Sequence, residues 1–196
     1  MLHLDPYQEA VSFQGVELRE EELSGIEFMD CTFEHCTLEG CIVNRCTFTD
    51  CTFVDCRLSN LTSEHSTVND TDFVGCHLSG FTWKDWMFSG GYLSPIHRLQ
   101  DCQLKYNNFE EMNFVKFDFS GSAITASMFA GCNLAESKFY GCQLERTEFF
   151  KCDLTQADFR RTAGYAVDLS TTKLDGAKFS FPEVVNLLDG LNIVIE

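Results

Sequence analysis

The chain has 196 residues, 44% of them hydrophobic, with 30 acidic against 14 basic side chains and a formal net charge of −16. That length fits one domain, and no stretch approaches the ~18 apolar residues of a membrane span. The N-terminus lacks the basic and apolar run of a secretory signal, so a cytoplasmic protein is expected, with neither membrane nor nucleic acid as a partner.

Residues 1–10 read as a lead-in. From Phe13 a large apolar residue returns every fifth place: Leu18, Leu23, Phe28, Phe33, Leu38, Val43, Phe48, Phe53, Leu58, then Val68, Phe73, Leu78, Trp83, Phe88 and Leu93. In "CTFEHCTLEGCIVNRCTFTDCTFVDCRL" (residues 31–58) a cysteine stands two places before each of these central residues. Neither regular period accounts for a beat of five. Five steps along a helix rotate the side chain by about 500°, and an odd step along a strand reverses its face. A chain that turns a corner every five residues does account for it, and four sides close a square of twenty residues.

Residues twenty apart then stack: Phe13, Phe33, Phe53 and Phe73 in one column, Leu18, Leu38, Leu58 and Leu78 in the next. At Leu61-Thr62-Ser63 the large and small inward places are exchanged, a compensation that keeps the interior filled. "FTWKDWMF" (81–88) is crowded at both inward places and predicts a distorted coil. The frame then slips by one residue within about 93–99, read as a kink or one-residue bulge with Pro95 breaking the pairing.

The beat resumes at Leu104 and runs Phe109, Phe114, Phe119, Ile124, Phe129, Leu134, Phe139, Leu144, Phe149, Leu154 and Phe159. Gly164 is a skipped beat, and Leu169, Leu174 and Phe179 complete the series. Of the 19 phenylalanines 15 are central, and all 11 cysteines fall two places before a centre, so composition alone does not explain the pattern. The last segment, "FPEVVNLLDGLNIVIE" (181–196), leaves the beat. Pro182 and Glu183 suit a helix start, Gly190 suits its end, and Val184, Leu187, Leu188 and Leu191 fall on one helical face.

The repeat resembles that of the pentapeptide repeat family, written A-[D/N]-L-x-x with Cys, Ser, Thr or Val also at the first place. "CDLTQADFRR" (152–161) and "CNLAESKFYGCQLERTEFF" (132–150) carry the likeness most closely. It covers residues 11–180 and implies an all-β solenoid, a right-handed quadrilateral β-helix, followed by a short C-terminal helix at 181–196. The ending is similar to those of the gyrase-protecting members of the family, the Qnr, MfpA and albicidin-resistance groups. That likeness implies a homodimer formed through Val184, Leu187, Leu188 and Leu191.

The cysteines are expected to serve as small buried hydrophobes in a reduced cytosolic protein, without disulfides. No CxxC pair is present and the five histidines lie off the cysteine beat, so no metal is expected. Phosphate loops, nucleophile elbows and HExxH are absent, which predicts no enzyme and no cofactor.

Charge is the remaining signal. Residues 1–90 hold 16 acids and 4 bases, residues 91–196 hold 14 and 10. About eight coils at ~4.8 Å would make a rod of roughly 40 Å. A dimer of roughly 80 Å carrying about −32 approaches the charge density of duplex DNA, one charge per ~1.7 Å. Asp30, Asp50 and Asp70 recur at one corner like a phosphate ladder, and Glu148 and Asp168 lie near the expected dimer centre. The resemblance implies a DNA mimic that binds DNA gyrase or topoisomerase IV and protects it from quinolones or a gyrase-targeting toxin. The other reading is a non-catalytic β-helix scaffold for an unrelated protein partner.

Overall fold

The computed structural model describes residues 4–87 and 95–188. The chain forms two compact units, Met1–Gln103 and Leu104–Glu196. Each is built as a right-handed quadrilateral β-helix.

In the first unit three-residue strands recur every five residues and pair in parallel with the strand twenty residues on. One face holds Tyr7–Glu9, Glu27–Met29, Thr47–Thr49 and Thr67–Asn69, and a second holds Ser12–Gln14, Thr32–Glu34, Thr52–Val54, Thr71–Val74 and Ile96–Gln100. The third stacks Glu17–Arg19, Thr37–Glu39, Arg57–Ser59 and His77–Ser79, the fourth Glu22–Ser24, Ile42–Asn44 and Thr62–Glu64. The middle residue of each strand points inward, so the phenylalanines of the second face stack ring on ring: Phe13 on Phe33 at 4.9 Å, Phe33 on Phe53 at 4.6 Å and Phe53 on Phe73 at 5.3 Å. Ser63 keeps register with Val43. Two places after each centre the chain turns through the left-handed region, and non-glycine residues there hold φ between 45° and 56°. Asp, Asn and His tolerate that conformation best, and the corners supply Asp30, His35, Asp50, Asp55, Asn60, His65 and Asp70.

The cysteines do more than fill space. Each coil leaves the carbonyl of its central residue facing inward, and the thiol 23 residues on donates to it: Cys56 Sγ to the Phe33 carbonyl at 3.3 Å, Cys76 Sγ to the Phe53 carbonyl at 3.3 Å. The same sulfur accepts an inward N–H, as Cys56 Sγ does from Cys36 at 3.3 Å. Ser66 does both jobs with a hydroxyl, donating to the Val43 carbonyl at 2.8 Å and accepting the Cys46 N–H at 2.9 Å. A small donor-acceptor on a beat of five thus satisfies main-chain groups that would otherwise be buried without partners. All eleven cysteines are free and buried. Burial pushes the Cys51 and Cys142 thiols up to about 12. Such thiols stay protonated and unreactive at neutral pH.

The crowded segment folds into a 3-10 turn at Trp83–Trp86, with Phe81, Trp83 and Trp86 buried and the Phe81 and Trp83 rings 4.9 Å apart. The frame slip resolves into a register. Thr71 pairs with Ile96 but Asp72 pairs with Arg98, so His97 is bulged out. Beyond the bulge Phe73 pairs with Leu99, a separation of 26 residues where Phe53 and Phe73 are 20 apart. The coil is therefore longer by six, of which a beat of five conceals all but one. Pro95 does not break the pairing, because its carbonyl accepts the Thr71 N–H at 3.2 Å. Phe88 and Leu93 lie outside the described residues.

The second unit keeps the beat with a different corner. Here several centres close a hydrogen-bonded turn within one pentapeptide: Phe117 N–H to the Phe114 carbonyl at 3.1 Å, Ser137 to Leu134 at 3.1 Å, Ala157 to Leu154 at 3.0 Å. At those corners the inward N–H is satisfied locally, so the first place needs no donor-acceptor and Ala157 stands there fully buried, while Cys132, Cys142 and Cys152 still donate across the coils as in the first unit. Phe109, Phe119, Phe129, Phe139, Phe149 and Phe159 are all wholly buried, with Phe129 and Phe149 stacked at 4.9 Å and 1°.

Near the C-terminus the register corrects the sequence frame. Gln143 pairs with Ala163, but Thr147 pairs with Tyr165 and Phe149 with Val167. Val167, not Leu169, takes the central place. Two residues are lost at Gly164 and restored after Asp168, and Asp153 again opposes Lys173. Gly164 has φ +80°, and an added Cβ would lie 2.7 Å from the Glu145 Cα, so the tightened corner requires glycine. Among the described residues the C-terminal helix is a 3-10 helix, Glu183–Leu188, and its expected end at Gly190 lies outside them.

Candidate acidic binding surface

The two units differ most in charge. The first holds 17 acids and 5 bases, the second 13 and 9. In the second unit the bases are largely engaged. Lys138 reaches Asp118 at 3.3 Å, Lys173 reaches Asp153 at 3.2 Å and Arg160 grips Asp158 through Nε at 2.9 Å and a terminal nitrogen at 2.7 Å. Lys105, Lys151 and Arg161 sit over the rings of Tyr106, Phe150 and Tyr140. The Arg160 contact holds the Asp158 carboxyl below the usual range, and the Thr155 hydroxyl, with Lys173, does so for Asp153.

Asp30, Asp50 and Asp70 follow the strands Glu27–Met29, Thr47–Thr49 and Thr67–Asn69 and occupy one corner of three successive coils. Their main chain is fixed by the stack, Asp30 N–H donating to the Thr49 carbonyl at 3.0 Å and Asp50 N–H to the Asn69 carbonyl at 3.1 Å. Asp30 and Asp50 are exposed, Asp70 half-buried, and none of the three makes an ion pair among the described residues. Carboxylates one coil apart repeat at ~4.8 Å.

Glu148 and Asp168 belong to the second unit and share one groove there, with Met128, Phe150, Tyr165 and Ala166. Asp168 is also a turn anchor. Its Oδ1 accepts the Ser170 N–H at 2.9 Å and hydroxyl at 2.6 Å, and its Oδ2 accepts the Thr171 hydroxyl at 2.7 Å. These bonds, Ser170 first, hold its carboxyl below the usual range. Asp30, Asp50 and Asp70 thus form one set in the first unit and Glu148 with Asp168 another in the second.

Of the apolar residues assigned to a dimer face, Val184, Leu187 and Leu188 lie on the 3-10 helix and stay half-buried within the chain. Leu191 lies outside the described residues. Two features escaped the sequence. The bulge presents His97, whose Nδ1 lies 2.8 Å from Asp72 Oδ1, beside Arg98 at 2.9 Å from Asp72 Oδ2. The other is the groove just described, whose Tyr165 reaches the interior only through the register change. No group of three or more His, Cys, Asp or Glu able to hold a metal occurs among the described residues, and none of their helices is long and apolar enough to cross a membrane.

A four-sided coil with small donors at the first inward place and large apolar residues at the second defines a repeat solenoid. Family models agree: a "pentapeptide repeat region" matches residues 26–94 and "pentapeptide repeats (8 copies)" matches residues 127–162, together more than half of the chain. The chain belongs to the pentapeptide repeat family. No curated protein matches it in sequence. Among solved structures it is similar to full-length QnrB1, described as a plasmid-mediated fluoroquinolone resistance protein, at 16% identity and a TM-score of 0.48, over 95% of this chain and 100% of that one. It is also similar to HetL of the cyanobacterium Nostoc sp. strain PCC 7120, described as involved in heterocyst differentiation regulation, at 14% identity and a TM-score of 0.34, over 87% of each chain.

Proposed function

We propose that this chain is a non-catalytic DNA mimic that binds DNA gyrase or topoisomerase IV as a homodimer and protects the enzyme from quinolones or a gyrase-targeting toxin. The observation that carries the reading is the column Asp30, Asp50, Asp70, three carboxylates one coil apart on a unit with twelve more acids than bases. A surface that accepts duplex DNA is basic, and regularly spaced anions steer toward it. Protection requires differential binding, in which the protein engages poisoned or DNA-free enzyme without blocking DNA capture at ordinary levels. Free, buried thiols suit a reducing cytoplasm. Val184, Leu187 and Leu188, half-exposed in one chain, supply apolar surface for the two-fold contact.

The test is a supercoiling and cleavage assay with purified gyrase and topoisomerase IV. Relief of poison-stabilised cleavage is expected at low protein concentration and inhibition of supercoiling at high concentration. Binding should weaken as salt rises and compete with duplex DNA. Changing Asp30, Asp50 and Asp70 together to Asn should weaken it further, and L188D should reduce the native mass to one chain. The scaffold reading also has an observation behind it. Each of these aspartates occupies a left-handed corner that Asp tolerates well, so the column would arise without any partner. Failure of the intact protein to bind either topoisomerase at low salt would leave the scaffold standing.

A further inference from the structure

Inside the first unit one column of central residues loses volume. Phe28 and Phe48 stack at 4.8 Å, and the next residue in register is Val68, which pairs with Phe48. A ring is missing there, and Val68 borders a space of about 40 Å³ that extends along the interior from Leu4 and Phe13 to Trp83 and Trp86. It reaches inward side chains that the coils otherwise enclose: Leu23 and Leu38 keep 7% and 8% of their surface exposed. Every residue that lines it is apolar. Main-chain groups beside it are already engaged, the Leu23 and Phe28 carbonyls by the thiols of Cys46 and Cys51 at 3.6 Å and the Val43 carbonyl by the Ser66 hydroxyl at 2.8 Å. A buried water needs about two to four polar partners, and the described lining supplies none, so the space is dry. Side chains that border a dry gap forfeit dispersion contacts, which an apolar occupant restores. The volume is little more than the ~30 Å³ share of one water molecule in the liquid, so the occupant must be small.

We propose that this space is a binding site for a small uncharged molecule without hydrogen-bonding groups, a light alkane or a noble-gas atom of similar size. Volume excludes larger ligands, and the lack of partners excludes polar ones. The central residues Ile124, Leu134, Leu144 and Leu154 of the second unit are wholly buried, so that unit is an internal control. An occupant that binds only the folded chain stabilises it by mass action, and here it acts on the coils that carry Asp30, Asp50 and Asp70. The site is independent of any topoisomerase partner.

The experiment is an NMR titration of the full chain, methyl-labelled at leucine, isoleucine and valine, with xenon under pressure. Saturable shifts are expected at Leu23, Leu38, Val43, Leu58 and Val68, and none at Ile124, Leu134, Leu144 or Leu154. Ethane should reproduce them, and methanol should not. V68L fills part of the space and should weaken xenon binding about tenfold. Should V68L fail to fold, V43I adds a methylene to the same lining and takes its place. Shifts that are absent, or equal in the two units, would overturn the proposal. So would first-unit shifts that methanol matches or that the filling variant leaves unchanged. Cross-relaxation from a bound water to the Leu38 methyls would overturn it too, because a wet space has no room for an apolar guest.

Discussion

The first unit and the second solve one packing problem in two ways. In the first, inward N–H and carbonyl groups are satisfied by the thiol or hydroxyl of a neighbouring coil, so cysteine or its equivalent must recur. In the second, that ladder persists at Cys132, Cys142 and Cys152, while other corners close their own turn and the first place there is free to be alanine. The interiors differ as well. Phe33, Phe48 and Phe53 retain 8%, 6% and 5% exposure, and an apolar space of about 40 Å³ runs among them, whereas Phe109, Phe119, Phe129, Phe139, Phe149 and Phe159 of the second unit retain none. Corner chemistry is not the cause, because the carbonyls of Phe109, Phe119 and Phe129 in the denser unit also accept a thiol from the next coil.

The largest expected effect tests that difference. Phe139 stacks on Phe119 and Phe159 at 4.7 Å and meets Phe129 and Phe149 edge-on. Phe139→Ala should cost about 5 kcal/mol, and Phe53→Ala, beside existing free space, about 3 kcal/mol. Urea denaturation measures both, and equal costs would refute the contrast in packing. Next comes the corner that only the second unit tightens. Gly164→Ala forces a Cβ against the Glu145 main chain and should cost about 3 kcal/mol. Gly25→Ala, at φ +69° with nothing within 4 Å, should cost about 1 kcal/mol.

The ladder between coils gives a finer test. Cys56→Ala strands the Cys36 N–H and the Phe33 carbonyl and should cost about 2 kcal/mol, whereas Cys56→Ser should cost less, as Ser66 does the same work natively. Equal losses would mean that only volume matters there. The smallest effect is electrostatic. Asp153 and Asp158 have depressed folded pKa values, so their contribution is full above the unfolded value of about 3.9 and is lost as pH falls through the folded one. Lys173→Met should remove a few tenths of a kcal/mol at neutral pH and flatten the acid limb of the second unit's stability curve. An unchanged acid limb would show that Lys173 contributes nothing to it.

The sequence by itself determined the square coil, because five-residue periodicity in Phe, Leu and Cys is local and each repeat chooses its own inward pair. It also placed Asp30, Asp50 and Asp70 at one corner, since twenty-residue stacking follows from the beat. It could not separate a slip of one residue from an insertion of six, because a frame read in fives is blind to whole repeats. Only the pairing of Phe73 with Leu99 decided that. Tertiary structure likewise moved Val167 into the place expected for Leu169 and turned Tyr165 inward, because the close approach of Gly164 to Glu145 shortens the coil by two residues. The groove joining Met128, Phe150, Glu148 and Asp168 follows from that register, which long-range strand pairing sets and local pattern does not.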